Sequence, residues 1–328
     1  MTNSTTAPYM SVKIGICGAP NAGKSTLLNA VLGQKLAIAT HKPQTTRDNV
    51  VGMMKYGSTT MLFADMPGIF EVSKYQLREY LLVQAIQALS WCNVVMIMIS
   101  AECLYNKTTK DEVYSVIEKE LISIISLIEK LPSIVTIKKK IIDCSKKQKL
   151  LLLSKYDLIP YEMRDTVAKC LQELSEKYNI KCIMTSVTSG RYNDILDICA
   201  SYSMPTYRCF DDLVYTNVSE KILAEEITRE QIYFSVHQEV PYSCMVETVA
   251  WRELENYKVQ VLQNIITAKE SHKMILIGRD GKMIKSLRER VTKQIEGILD
   301  KRVELQLHVK VRSDWMKNIR PKDNLKDF

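Results

Sequence analysis

The chain has 328 residues, 46% of them hydrophobic and 25% charged, with a formal net charge of +8. That length is too great for one typical domain core and divides into two, and the composition is that of an ordinary soluble globular protein rather than a disordered or fibrous one. Nine scattered cysteines without a C-x-x-C pair and four isolated histidines give neither a disulfide frame nor a zinc cluster, and are read as reduced, buried residues.

Residues 1–10 carry neither the basic start of a secretion signal nor the arginines of a transit peptide, and are expected to be a disordered lead. The longest apolar runs, such as Val94 to Ile99 and Leu150 to Leu153, are too short to span a bilayer, so a cytoplasmic protein is expected. Val12 to Cys17 reads as a strand that leads into Gly18-Ala19-Pro20-Asn21-Ala22-Gly23-Lys24-Ser25, a complete G-x-x-x-x-G-K-S phosphate loop. Thr26 to Leu32 are helix formers with an apolar stripe, so the loop opens onto a helix N-terminus, where amides and macrodipole favour an anion. Lys24 is placed to reach β- and γ-phosphates, and Ser25 to offer its hydroxyl to Mg²⁺.

Further strand-length runs follow at Val50 to Met54, Thr60 to Ala64, Val94 to Ile99, Leu150 to Leu153 and Lys181 to Met184, with helical periodicity in Gln76 to Leu89 and Asp111 to Leu131. Strands alternating with helices predict an α/β, doubly wound, mostly parallel sheet whose ligand lies beyond the carboxyl ends of the strands. Asp65-Met66-Pro67-Gly68 follows the second of these runs. Its carboxylate can hold Mg²⁺ through water and its Gly68 N–H can bond a γ-phosphate, which makes it a sensor of triphosphate. Ile69, the next residue, has no group to orient a water. Six lysines between Lys138 and Lys149 could touch RNA or membrane phosphates, but no aromatic residue is interleaved and a solvated insertion is preferred. Ser154-Lys155-Tyr156-Asp157 then ends the Leu150 to Leu153 run. A carboxylate there accepts from guanine N1–H and the exocyclic amine, a pairing adenine cannot offer, and the Lys155 stem can cover the ring. Thr185-Ser186-Val187 would supply backbone N–H groups to guanine O6.

The pattern loosens from Ser201 to Asp212, which places the boundary between a nucleotide-binding domain, residues 11–205, and a second domain, residues 206–328. In the second domain Ser219 to Phe234 and Lys282 to Leu299 read as helices, and Tyr242 to Ala250, Tyr257 to Ala268 and Val303 to Val311 as strands. Periodicity alone also makes Met274 to Ile277 a strand. The next residues, Gly278-Arg279-Asp280-Gly281, sit between that apolar run and a helix that carries Lys282, Lys285 and Arg288 at helical spacing. From Lys269 to Arg320 there are fourteen Lys and Arg against seven Asp and Glu, an excess that suits phosphate contact.

The ordered series of phosphate loop, Pro43-Gln44-Thr45-Thr46-Arg47-Asp48, Asp65 to Gly68, Ser154 to Asp157 and Ser186-Val187 resembles the Era family of ribosome-assembly GTPases, and the G-x-x-G region resembles a type II KH module. The resemblance runs from Val12 to about Lys317. It implies slow hydrolysis of GTP to GDP, with Thr46, more than Thr45, closing over Mg²⁺ beside Ser25 and Asp65, and with Asn21, Lys24, Thr46 and Gly68 as the catalytic set. It further implies that Asn21 helps hold K⁺, so that K⁺ but not Na⁺ speeds turnover. Met274 to Ile277 becomes a short helix in this reading. The implied partners are small-subunit (16S) ribosomal RNA and the small ribosomal subunit, bound by a monomer with no obligate protein partner, and peripheral contact with the inner face of the cell membrane is compatible with it. A nucleotide-stabilised RNA chaperone with negligible turnover is the alternative.

Three departures from the family pattern stand out. Ser154 replaces an asparagine whose amide bonds both base and phosphate loop, which is expected to lower affinity while Asp157 keeps specificity. Ser186-Val187 stands for Ser-Ala. Asp280 brings a carboxylate into a loop that meets phosphates, which is expected to weaken RNA binding despite Arg279.

Overall fold

The structure, a computed structural model, describes residues 9–37, 46–68, 78–134, 147–206, 215–237, 239–318 and 325. Contacts divide the chain into a unit of Met1–Gln34, Thr46–Asn217 and Pro321–Phe328, and a second of Lys35–Thr45 and Val218–Arg320.

In the first unit the apolar runs form β1 (Tyr9–Gly18), β2 (Val50–Tyr56), β3 (Thr59–Asp65), β4 (Val94–Ser100), β5 (Gln148–Ser154) and β6 (Lys181–Met184). They lie in the order β6-β5-β4-β1-β3-β2, and the pairs from β6 to β3 are all parallel. Every residue of β3 is buried, as is every residue of β4 but its last, which is what a parallel sheet covered on both faces demands. β2 runs antiparallel to β3 because only Gly57 and Ser58 separate them, with Gly57 at φ 58°, too short a link for a crossover. Short antiparallel pieces, β7 (Met204–Thr206) on β1 and β8 (Tyr215–Thr216) on β2, complete the sheet.

The helices of this unit are α1 (Lys24–Leu32), α2 (Arg78–Trp91), α3 (Lys110–Ile134), α4 (Arg164–Tyr178) and α5 (Asn193–Ser201). The last two go beyond those expected. In α4 the buried Val167, Cys170, Leu171 and Leu174 do keep helical spacing, but charged residues are interleaved with them.

The second unit has the order that the family resemblance implies: α6 (Glu220–Ser235), β9 (Cys244–Leu254), β10 (Lys258–Thr267), α7 (Glu270–Ile277), α8 (Lys282–Leu299) and β11 (Arg302–Val311), then the single turn α9 (Trp315–Asn318). β10 lies between β9, antiparallel, and β11, parallel. Two local expectations change. Tyr242 and Ser243 belong to a 3-10 turn, because Pro241 cannot donate to a ladder, and β9 starts at Cys244. Met274 to Ile277 is helical, with only His272 and Leu276 of α7 buried while Met274 and Ile275 stand exposed, a helical and not an alternating pattern. Ile227, Val259, Val261, Ile265, Leu287, Val291 and Ile295 form the core, each such side chain contributing about 1.5–3 kcal/mol by leaving water. Lys35, just past α1, pairs with the buried Glu230 of α6 at 2.6 Å, and Gln294 of α8 donates to the same oxygen at 2.8 Å. Among the described residues no helix is long and apolar enough to cross a membrane.

Candidate functional site

β1 ends at Gly18, whose φ of 148° and closeness to β4 leave no room for a side chain: a Cβ there would lie 2.2 Å from the Met98 carbonyl oxygen. The chain then turns through Asn21 at φ 62° and Gly23 at φ 90°, and α1 begins at Lys24. α1 has no side-chain cap and no acid in its first turn, so the amides around Lys24, Ser25 and Thr26 make a cradle for an anion. Lys24 is buried, its Nζ donating to Gly18 O at 3.1 Å and Ala19 O at 2.9 Å. Burial pushes this ammonium below its ordinary range, against the pull of Asp65. One rung beyond β3, Met66 N–H bonds Ile16 O at 3.1 Å and carries Pro67 and Gly68 alongside the loop. A Cβ on Gly68 would lie 3.7 Å from Lys24 Nζ and 3.5 Å from Pro20 Cγ, so this glycine faces the phosphate end of the site.

Ser25, Thr46 and Asp65 meet as a cluster. Ser25 Oγ donates to Asp65 Oδ2 at 2.5 Å, Thr46 Oγ1 donates to the same oxygen at 3.1 Å, and the two hydroxyls are 3.1 Å apart. Burial pushes the Asp65 carboxyl up, and Lys24 and the two hydroxyls pull it back. Its second oxygen, Oδ1, is buried with no hydrogen-bond partner among the described residues. A hard divalent cation suits such an oxygen, which has left water without replacement. Gln44, Thr45 and Ile69 lie outside the described residues, as do residues 138–146 of the lysine-rich stretch.

At the far end, Ser154 closes β5 and the next residues turn through Lys155 at φ 56° into a 3-10 turn. Ser154 Oγ is buried and donates to Ala22 O of the phosphate loop at 2.7 Å, with Ile99 O as a second acceptor at 3.1 Å. The bond to the phosphate loop that the asparagine amide of the family pattern can make is thus made here by a hydroxyl. Asp157 stands exposed and accepts from Ser186 Oγ at 2.5 Å, while Lys155 is paired with Glu102 at 2.8 Å. Thr185 and Ser186 commit their N–H groups to Leu153 O at 2.9 Å and Arg191 O at 3.4 Å, within the protein itself. The guanidinium groups of Arg164 and Arg191 lie 4.6 and 5.3 Å from the Tyr156 ring centre, and Arg191 also donates to the Tyr156 hydroxyl at 3.0 Å.

In the second unit Gly278 ends α7 with its N–H on Met274 O at 2.9 Å, and Asp280 and Gly281 turn left-handed at φ 55° and 70° before α8. Arg279, Asp280, Lys282, Lys285 and Arg288 are all exposed, and Lys282, Lys285 and Arg288 form no ion pair among the described residues. Their charge is open to a polyanion. Asp280→Lys is therefore expected to tighten single-stranded RNA binding or leave it unchanged in a filter-binding titration, and a marked loss would count against the loop as the RNA contact.

Sequence reasoning missed several supports of the site. Tyr80 donates its hydroxyl to Asp48, and Asn49 bonds Gln84 through both backbone and side chain at 3.2 and 2.8 Å, so α2 holds the segment just after Thr46. Ser186 was expected to serve through its backbone, but it is its hydroxyl that orients Asp157. These partners lie 29 to 35 residues apart, and no local pattern announces them.

Residues 13–139 match the family described as 50S ribosome-binding GTPase, and residues 239–316 match the KH domain. The chain is 30% identical to the GTPase Era of Fusobacterium nucleatum subsp. nucleatum over 93% of this chain and 94% of that one, and 32% identical to that of Syntrophus aciditrophicus over 95% and 93%. It also superimposes, with a TM-score of 0.77 and 26% identity over 94% of this chain and 95% of the other, on a crystal structure of Era in complex with MgGDPNP and nucleotides 1506-1542 of 16S ribosomal RNA. Fold and site together define a phosphate-loop GTPase joined to a C-terminal KH domain. The extent of the likeness goes further: the chain belongs to the Era family of GTPases.

Proposed function

We propose that this protein is a GTP-dependent switch that binds GTP with Mg²⁺, hydrolyses it to GDP and phosphate, and binds small-subunit (16S) ribosomal RNA through its KH domain during assembly of the small ribosomal subunit. The observation that carries this reading is the convergence of Ser25, Thr46 and Asp65, from three separate segments, beside the buried Lys24. Those three oxygen groups would hold Mg²⁺, which supplies countercharge to the β- and γ-phosphates when bound. Lys24 and the amides at the start of α1 orient the same phosphates, and Gly68 N–H reports whether the γ-phosphate is there. Asn21 is assigned to K⁺. Asp157, held by Ser186, takes the guanine N1–H and amine, with Val187 N–H toward O6. Arg279, Lys282, Lys285 and Arg288 take RNA phosphates.

The ligand set of the related Era crystal structure, MgGDPNP and a 16S segment, supports this assignment. The family description that names the 50S particle covers the nucleotide-binding part alone, whereas the Era structure that matches over 94% of this chain holds a segment of 16S ribosomal RNA, which favours small-subunit RNA. A cytoplasmic monomer, with peripheral contact at the inner membrane face, fits this role.

Single-turnover GTP hydrolysis, measured in K⁺ and in Na⁺ and with or without RNA from the small-subunit single-stranded end, tests the proposal. Slow turnover that is faster in K⁺ is expected. Hydrolysis indistinguishable from a protein-free control under every condition would point instead to a nucleotide-stabilised RNA chaperone.

A further inference from the structure

Where the family pattern has an asparagine, Ser154 offers a single hydroxyl. Its contacts, at 2.7 Å to Ala22 O and 3.1 Å to Ile99 O, are both to carbonyl oxygens, so it is the donor in each. A hydroxyl has one proton, and both acceptors claim it; what remains on the oxygen are lone pairs. An amide, with two N–H groups, can serve the phosphate loop and a base together. Guanine N7 is an acceptor, and a lone pair cannot serve it.

We propose, resting on the guanine-nucleotide reading above, that Ser154 is a positioning residue that fastens the end of β5 to the phosphate loop through Ala22, and that this site reads guanine by its Watson–Crick edge alone and not at N7. The edge contacts remain complete. Asp157, oriented by Ser186 at 2.5 Å, faces N1–H and the amine whatever stands at N7. Ser154 itself is buried, 3% exposed, with its hydroxyl turned to the two carbonyls.

The test is calorimetric titration of the full-length protein with GDP, 7-deaza-GDP and ADP in the presence of Mg²⁺. GDP and 7-deaza-GDP are expected to bind within about twofold of each other, since the one hydrogen bond that N7 could accept is not made. Ser154→Asn is expected to open a gap of about tenfold between them, in favour of GDP, as its second N–H finds N7. Ser154→Ala is expected to weaken both nucleotides by the same factor of about three to ten, because the Ala22 carbonyl loses its donor while the base contacts stay. A purely structural serine would lower the melting temperature but leave the affinity for each nucleotide as in wild type. Wild-type protein that prefers GDP to 7-deaza-GDP tenfold overturns the inference alone, and so does Ser154→Ala binding GDP like wild type. ADP bound as well as GDP, or no uptake of either, overturns the guanine reading beneath it.

Discussion

Lys24→Met is expected to lower affinity for GTP by about 10²–10³-fold while moving the melting temperature of the nucleotide-free protein by no more than about 4 °C, the equivalent of roughly 1 kcal/mol in a domain of this size. The asymmetry comes from what Lys24 touches. Without nucleotide its ammonium is buried against two backbone carbonyls, Gly18 O and Ala19 O, and the burial lowers its proton affinity more than Asp65 restores it. A charge in that position costs the empty protein stability, and methionine fills much of the same volume without the charge. The sign is consistent: a lysine whose folded pKa lies below the unfolded value weakens the fold at neutral pH, and that penalty fades as pH rises through the folded pKa. Phosphate reverses the balance, because the buried ammonium then makes charge-assisted bonds in a site of low dielectric. Isothermal titration and thermal melting on the same samples decide the matter. Binding reduced less than tenfold would mean that the amides at the start of α1 carry the phosphates without the lysine.

Much of this site was legible because its parts are local. The phosphate loop, the Asp65 to Gly68 turn and the Ser154 to Asp157 turn each follow an apolar run, and a strand end is where an α/β sheet exposes loops to a ligand. What stayed hidden depends on which strand ends are brought together. Parallel pairing places β5 beside β4 and β4 beside β1, and only that order carries Ser154 to Ala22, 132 residues earlier in the chain. Nothing in the tetrapeptide says how near the phosphate loop lies, so a hydroxyl that reaches it is visible only in the fold. Likewise Asp48 and Asn49 are two polar residues just before the Val50 to Met54 run until α2 brings Tyr80 and Gln84 against them. At α7 it was periodicity alone that misled, while the family resemblance implied the helix that is found. Met274 to Ile277 is a four-residue apolar run, too short for periodicity to separate strand from helix, and the helix is settled by packing of Leu276 into the core with β10, α8 and β11.

The two glycines beside α7 are expected to respond very differently to alanine, although the motif treats them alike. Gly278 sits at φ 72° and ψ 174°, a region in practice restricted to glycine, and a Cβ there would meet Met283 Cβ at 2.5 Å and Met283 N at 3.1 Å. Met283 is in the first turn of α8, so relief requires the helix start or the loop to move. Gly278→Ala should therefore cost about 1–3 kcal/mol of stability from backbone strain, with the contact added to it, and should displace Arg279 and Lys282 enough to abolish RNA binding within the measurable range. Gly281 is at φ 70° and ψ 12° with open space around a built Cβ. Its alanine variant carries only the ordinary left-handed penalty of about 1 kcal/mol and should retain RNA binding within a few-fold. Chemical denaturation and RNA titration of both variants separate the causes. Equal losses at the two positions would show that positive φ alone sets the cost, and that the close approach of Gly278 to α8 has no part in presenting the loop.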